Sequence, residues 1–507
     1  MQSSDQQEGG GFRARIQWIG LIAGPCLALF CWFVLPDEYK NADGVMTDFS
    51  SAGRATLCVM AWMAVWWLTE AVEISVTALL PLVLFPLLGV ANLSATSSPY
   101  AHPLIFLFMG GFLLALSMRR WGLGRRIALL TLSAVGTKPA RMVAGFMVTT
   151  GVLSAFVSNT ATTAMMLPIA ISVIELVDRN RDGESENDNF ALALLLGIAY
   201  AASIGGIATI IGSPPNAFLV GFIDKMPQPH AREIDFVQWM MIGVPLAAVF
   251  LPIAWILLTR VLHPVGSIHI KGGRELIGNE LKKMGPANRG EWATFVVFMV
   301  TALCWMTRPW LTKVSIGDWQ PLAGLKDGGI AMAGGLLLFV IPVNIRKREF
   351  VMNWDTAKGL PWGILLLFGG GLTLAAAVKA NGVAEFIGAQ ATYLSGVNMI
   401  AVVLAVTTVV IFMTELTSNT ATTATLVPVL AALAPGLDVH PYMLIFPAAL
   451  AASCAFMMPV ATPPNAIVFG SGRVTIPQMC RAGLWLNLIG IALVTLASML
   501  IMRAVLM

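Results

Sequence analysis

The sequence predicts an all-α polytopic membrane protein with about 11 transmembrane helices plus two re-entrant helical hairpins, arranged as two inverted-topology repeats. Three observations carry this reading. Of 507 residues, 57% are hydrophobic and only 11% are charged, whereas an ordinary soluble domain carries roughly 25% charge; the mean hydropathy is +0.78. The apolar residues gather into runs of spanning or near-spanning length. Finally, Ser158-Asn159-Thr160-Ala161-Thr162-Thr163-Ala164 recurs letter for letter as Ser418-Asn419-Thr420-Ala421-Thr422-Thr423-Ala424, each copy inside an apolar stretch.

In chain order, the spanning candidates are 16–35, 55–68, 74–90, 104–118, 190–211, 236–258, 292–306, 329–343, 362–378, 442–460 and 482–502. Several fall short of the ~20 residues of a straight span, so those helices extend into their flanks. Two further apolar stretches, 142–173 and 399–432, are interrupted centrally by the Ser-Asn-Thr clusters. They are expected to enter and leave on one side as hairpins, which lipid tolerates when the break is packed inside protein.

Basic residues set the orientation. With the N-terminus inside, cytoplasmic segments hold 22 of the 31 Lys and Arg residues, among them Arg13, Arg15, Arg119, Arg120, Arg125 and Arg126, so the chain is read as N-in and C-out in the plasma (inner) membrane. The first run lacks a small-residue cleavage site and reads as an uncleaved helix. The net charge of +4 lies in short loops rather than on one face, a pattern of topology and not of nucleic-acid binding. In this orientation the first hairpin opens to the cytoplasm and the second to the outside. Their tips can then meet near mid-membrane.

The register of 260 residues that relates the tips also carries Phe108 onto Phe368, Gly110 and Gly111 onto Gly370 and Gly371, Gly122 onto Gly382 and Pro168 onto Pro428. A second pair, Gly212-Ser213-Pro214-Pro215-Asn216-Ala217 and Ala461-Thr462-Pro463-Pro464-Asn465-Ala466, is offset by 249 because of a longer polar loop at 178–189 in the first half. Polar clusters and helix-breaking prolines at matching places in two apolar halves point to a transporter's binding site built on broken helices.

Each tip is expected to cap its returning helix and to present backbone N–H groups that favour anions. Each Pro-Pro element should free carbonyls near Gly212 and Ala461 as ligands for a hard cation such as sodium. The six cysteines form no CxxC or Cys/His cluster, and the five histidines, His102, His230, His263, His269 and His440, lie in or near loops. With no paired acids or nucleophile-base pair in the apolar region, no catalytic residue and no organic cofactor are expected. The convergence of the polar clusters on one place argues against an open pore.

These residues resemble the divalent anion:sodium symporter family, the INDY-like sodium-dependent dicarboxylate transporters. The most specific stretch runs from Ala452-Ser453-Cys454-Ala455-Phe456 through Pro463-Pro464-Asn465 to Val468, and Trp66-Trp67-Leu68-Thr69-Glu70-Ala71 and Leu360-Pro361-Trp362-Gly363 fit as well. The resemblance implies a homodimer in the lipid bilayer, with a scaffold domain and a mobile transport domain working as an elevator. It implies sodium-coupled uptake of C4 dicarboxylates (succinate, malate, fumarate), with citrate or sulfate as alternative substrates. It further implies a first sodium site at Ser154, Ser158, Asn159 and the Gly212 carbonyl, and a second at Thr414, Ser418, Asn419 and the Ala461 carbonyl. Substrate would meet Asn159, Thr160, Ser418, Asn419 and Thr420, with Ser213 and Thr462 close by. The expected organisation is a cytoplasmic tail at 1–15, scaffold helices at 16–127 and 291–388, transport elements at 137–262 and 398–507, and a cytoplasmic linker at 263–290.

Other polar groups have simpler readings. Asn216 and Asn465 stand behind the Pro-Pro loops as braces or as structural residues. Glu415 aligns with Ala155 and is peripheral; Glu70 and Glu73 lie near an interface. Arg119 and Lys379 match at the register of 260 and are read as interfacial snorkels. A sodium-independent dicarboxylate exchanger of the same fold is the main rival.

Overall fold

The structure, a computed structural model, describes residues 2–506 except 42–43, 137, 180–188, 266–272, 316–317 and 393–395. Most of the predicted polar loop at 178–189, part of the linker at 263–290, and Arg181 and Lys271 of the orientation count lie outside the described residues. The chain is mostly helical, with two short two-stranded ribbons. Among the described residues, eight helices are long and apolar enough to cross a membrane, and five apolar helices are shorter.

The hairpin stretches form helix–break–helix pairs: Pro139–Ser154 with Asn159–Arg179, and Met399–Thr414 with Asn419–Leu433. Two runs read as single spans are broken. The 190–211 run becomes a helix, Asn189–Gly206, followed by a short 3₁₀ turn at Ile210–Gly212. The 442–460 run is helical only over Tyr442–Ala452, and the next helix begins at Pro463. Two helices outside the apolar runs, Leu123–Val135 and Val383–Ala391, start at Gly122 and Gly382, left-handed at φ 73° and 71°, a conformation that glycine adopts without a Cβ penalty.

The chain divides into two compact units. One comprises 1–105, 217–234 and 361–452; the other comprises 106–216, 235–360 and 453–507. In the first, helices Gln2–Val34 and Ser51–Thr69 pack together, with Arg54 paired to Asp37 at 2.5 Å and lying 5.0 Å from the Trp32 ring centre. The Gly369-Gly370-Gly371 face of helix Trp362–Ala380 has no Cβ atoms where Tyr100, the Ala78 backbone and Phe218 press against it. Tyr100 donates to the Ala78 carbonyl at 2.5 Å and Thr373 to that of Thr96 at 2.9 Å. Helix Tyr442–Ala452 is buried throughout.

In the second unit, helix Asn189–Gly206 is almost entirely buried. It lies against Pro139–Ser154 so closely that a side chain on Gly205 would strike the Gly151 backbone. Helix Phe236–Ile256 supports the break that follows: Trp239 Nε1 donates to the Ile207 carbonyl at 3.0 Å, and Gly243 gives that backbone room. Buried charges are paired, as burial demands. Arg126 meets Glu291 at 3.1 Å, and Asp327 accepts from Arg308 and from the Phe236 N–H, both at 3.0 Å.

Candidate functional site

The first tip assembles a ring of oxygens within the second unit. Ser154 is the last residue of its helix and is fully buried, and Asn159 opens the next helix. Ser154 Oγ lies 2.7 Å from the Ala202 carbonyl. The Asn159 amide atom facing the cluster, Oδ1, lies 2.5 Å from Ser154 Oγ and 3.2 Å from the carbonyls of both Gly212 and Ala202. It therefore meets only acceptors, apart from one hydroxyl whose single proton serves either Asn159 or Ala202, not both. Two arrangements satisfy the ring. The amide turns over and directs its two N–H protons at the three surrounding oxygens, or a cation sits among four neutral oxygen ligands, the donor set a hard cation takes.

The surroundings hold this ring in place. Thr209 donates its hydroxyl proton to the Ala155 carbonyl and accepts from the Gly212 N–H at 3.1 Å. Asn216 Nδ2 spans the Gly206 and Thr209 carbonyls at 2.9 and 2.8 Å. A Cβ on Gly206 would stand 2.7 Å from Asn159 Oδ1, and one on Gly212 would stand 2.5 Å from the Gly206 carbonyl. Both positions are glycine because the backbone must approach that closely. Ser158 and Thr160 are exposed at the mouth of the tip.

The second tip, in the first unit, repeats the core of this geometry. Thr414 Oγ1 lies 2.7 Å from Asn419 Oδ1 and 3.2 Å from the Ala452 carbonyl, matching Ser154, Asn159 and Ala202. Ser418 is the N-cap residue, yet its side chain makes no capping hydrogen bond. The expected capping role is corrected here: the helix starts through the Ser418 carbonyl, which accepts from the Thr422 N–H at 2.8 Å. Ser418, Asn419 and Thr420 are half-buried. Glu415, at the end of the preceding helix, is buried.

Ala461 and Thr462 lie in the second unit and are buried. Thr462 caps helix Pro463–Phe469 by accepting from the Asn465 N–H at 3.3 Å. Asn465 Nδ2 reaches the Ala455 and Met458 carbonyls at 3.3 and 3.1 Å. Each of these partners is the Asn216 partner plus 249. The prolines act differently from the sequence expectation. Pro214 and Pro463 open helices rather than interrupt them, a position where a missing N–H costs nothing. The residue before each proline pair, Ser213 or Thr462, is extended, so the chain breaks there before the new helix starts. The two breaks touch within this unit: Ser213 Oγ and Ser453 Oγ lie 3.3 Å apart.

Ser154, Asn159 and Gly212 are thus brought together, as are Thr414 and Asn419. Sequence reasoning missed the Ala202 and Ala452 carbonyls, Thr209, Gly206 and Ser453. A backbone carbonyl leaves no mark in its own residue type, and Thr209 aligns with Met458. Ser453 had a visible signal, as a hydroxyl in the stretch from Ala452 that leads into Pro463-Pro464. Lys379 donates to the Met226 carbonyl at 3.3 Å. All six cysteines are unpaired in disulfides, and among the described residues no group of three or more His, Cys, Asp or Glu side chains could hold a metal.

Long apolar helices, broken helices and buried polar tips define an integral, multi-pass membrane transporter. The family model described as the sodium:sulfate symporter transmembrane region matches residues 45–507, and the chain belongs to that family. It is 40% identical over 484 residues to the sodium-dependent dicarboxylate transporter SdcS of Staphylococcus saprophyticus, covering 95% of this chain and 90% of that one. It is 41% identical over 495 residues to SdcS of Staphylococcus aureus strain RF122, covering 97% and 92%. The crystal structure of the Alcanivorax borkumensis YdaH transporter shares the fold, with a TM-score of 0.61 at 13% identity over 97% of this chain and 98% of that one.

Proposed function

We propose that the protein couples the inward movement of sodium to uptake of C4 dicarboxylates such as succinate, malate and fumarate. The observation that carries this reading is the set of buried oxygens of Ser154, Ala202 and Gly212 gathered about the Asn159 amide, with a partial copy at Thr414, Asn419 and Ala452. Neutral oxygens at broken helix ends suit a weakly charged, hard cation. The hydroxyls and N–H groups of Thr160, Ser418, Asn419 and Thr420 suit carboxylates. In this reading Ser158 completes the first sodium shell and Ser418 the second. The names of the curated relatives, sodium-dependent dicarboxylate transporters, support the same coupling.

The two tips, related by 260 residues, fit an inverted repeat with the N-terminus inside and the C-terminus outside. Segments 16–127 and 291–388 then form a scaffold, and 137–262 and 398–507 form a mobile domain that carries the site across as an elevator within a homodimer. No Arg or Lys stands in either tip or either Pro-Pro loop. The site should therefore accept small dianions as a class rather than grip one molecule bidentately. Uptake of labelled succinate into proteoliposomes tests this. Malate and fumarate should compete at similar concentrations, with citrate and sulfate weaker. Competition by sulfate but by no C4 dicarboxylate would remove the assignment.

A further inference from the structure

A cavity of about 440 Å³ lies within the first unit. Phe222, Met226, Ala375, Val378, Pro428 and Ala432 line it and are all buried. It exists because facing positions are small: Gly388 and Gly436 meet backbone to backbone, and alanines stand where larger side chains would fill the space. Its volume falls in the ~300–1,000 Å³ range of small-molecule sites.

The lining carries charge. Lys225, Lys379 and Glu385 line the cavity and are exposed, giving two ammonium groups against one carboxylate, with the half-buried His230 beside them. The excess is one positive charge, and the walls are hydrocarbon. A ligand complementary to both has an apolar body and a single negative head. A small dianion would leave the walls uncovered and one of its charges unmatched.

The lining also has a position. Pro428 and Ala432 lie in the second half of the helix that starts at Asn419, about 14 and 20 Å along it from the second tip at 1.5 Å per residue. Its lining draws on Asn41 and residues 375–388 of the segments proposed as scaffold, and on residues 222–230 and 428–441 of those proposed as mobile.

We propose that this cavity binds an amphipathic monoanion, a carboxylate on a hydrocarbon body, and that its occupation arrests transport without displacing the substrate. A ligand held by elements that must move past one another stabilises the one arrangement in which the cavity exists. The arrest rests on the alternating-access reading above; the binding does not.

Equilibrium dialysis of labelled decanoate tests the binding, with purified protein in detergent measured against protein-free micelles. Wild type should take up decanoate saturably, undiminished by sodium plus saturating succinate, and Asn419→Ala should bind equally well. Lys379→Gln should weaken binding about tenfold, the scale of one charge-assisted contact. Ala432→Phe, which fills the cavity, should abolish it while eluting at the wild-type size. In proteoliposomes, decanoate should lower the maximal rate of succinate uptake and leave KM unchanged. Displacement of decanoate by succinate, or equal binding by wild type and both cavity variants, would overturn the proposal. Saturable binding that survives when succinate transport itself is absent would uphold the site and count against only the transport reading.

Discussion

Asn159 is the residue on which the first ring turns. Its amide touches Ser154, Gly212 and Ala202, and Gly206 leaves the room it occupies. Asn159→Ala removes this ligand but leaves the Thr162 N–H on the Ser158 carbonyl, so the helix should still start. A hydrogen bond to a charged group is worth roughly 1.5 to 3 kcal/mol, so sodium affinity should fall about 10- to 100-fold with normal membrane expression. Gly206→Ala makes a subtler test: its Cβ displaces the amide while the Asn159 side chain is kept. The sodium concentration for half-maximal uptake should rise roughly tenfold. Sodium titration of uptake in both variants checks this, and wild-type curves in both would show that the ring is structural only.

At the scale of elements, the repeated heptapeptide made the breaks legible. The helices end at Ser154 and Thr414 and restart at Asn159 and Asn419, where the sequence placed the tips. The ends at Gly206 and Ala452 were not legible, because the residues beyond them are as apolar as those before, and hydropathy reports burial rather than helicity. The amphipathic helix Leu123–Val135 was missed for the opposite reason. Its polar face carries Arg125 and Arg126, of which Arg126 reaches the buried Glu291 on helix Arg289–Leu311. Removing one partner of a buried pair costs about 3–5 kcal/mol. Glu291→Ala should therefore lower thermal stability markedly, while the sodium dependence of the remaining folded protein stays unchanged. A shifted sodium requirement at wild-type stability would contradict this division between frame and site.

For the whole molecule, membership of the family and the apolar helices follow from composition and motif, which is why both could be read before any coordinates. The pairing of each tip with a distant carbonyl could not, since Ala202 and Ala452 reach the site through the fold alone. Coupling follows from charge. On the proposed reading, a C4 dicarboxylate would bring two negative charges to tips whose helix ends each supply only about half a positive charge. A cation about 4 Å away contributes roughly 4 kcal/mol per charge pair at an effective dielectric near 20. Sodium should bind first, and substrate must raise sodium affinity by the factor by which sodium raises that of substrate. The most direct measurement is succinate binding to the purified protein in sodium buffer and in sodium-free choline buffer of equal ionic strength. If sodium binds first, succinate binding should be saturable in sodium and fall at least 100-fold in choline, with the loss reproduced in sodium by Ser154→Ala or Thr414→Ala and recovered at higher sodium. Equally tight binding in choline would contradict that order and favour exchange without sodium.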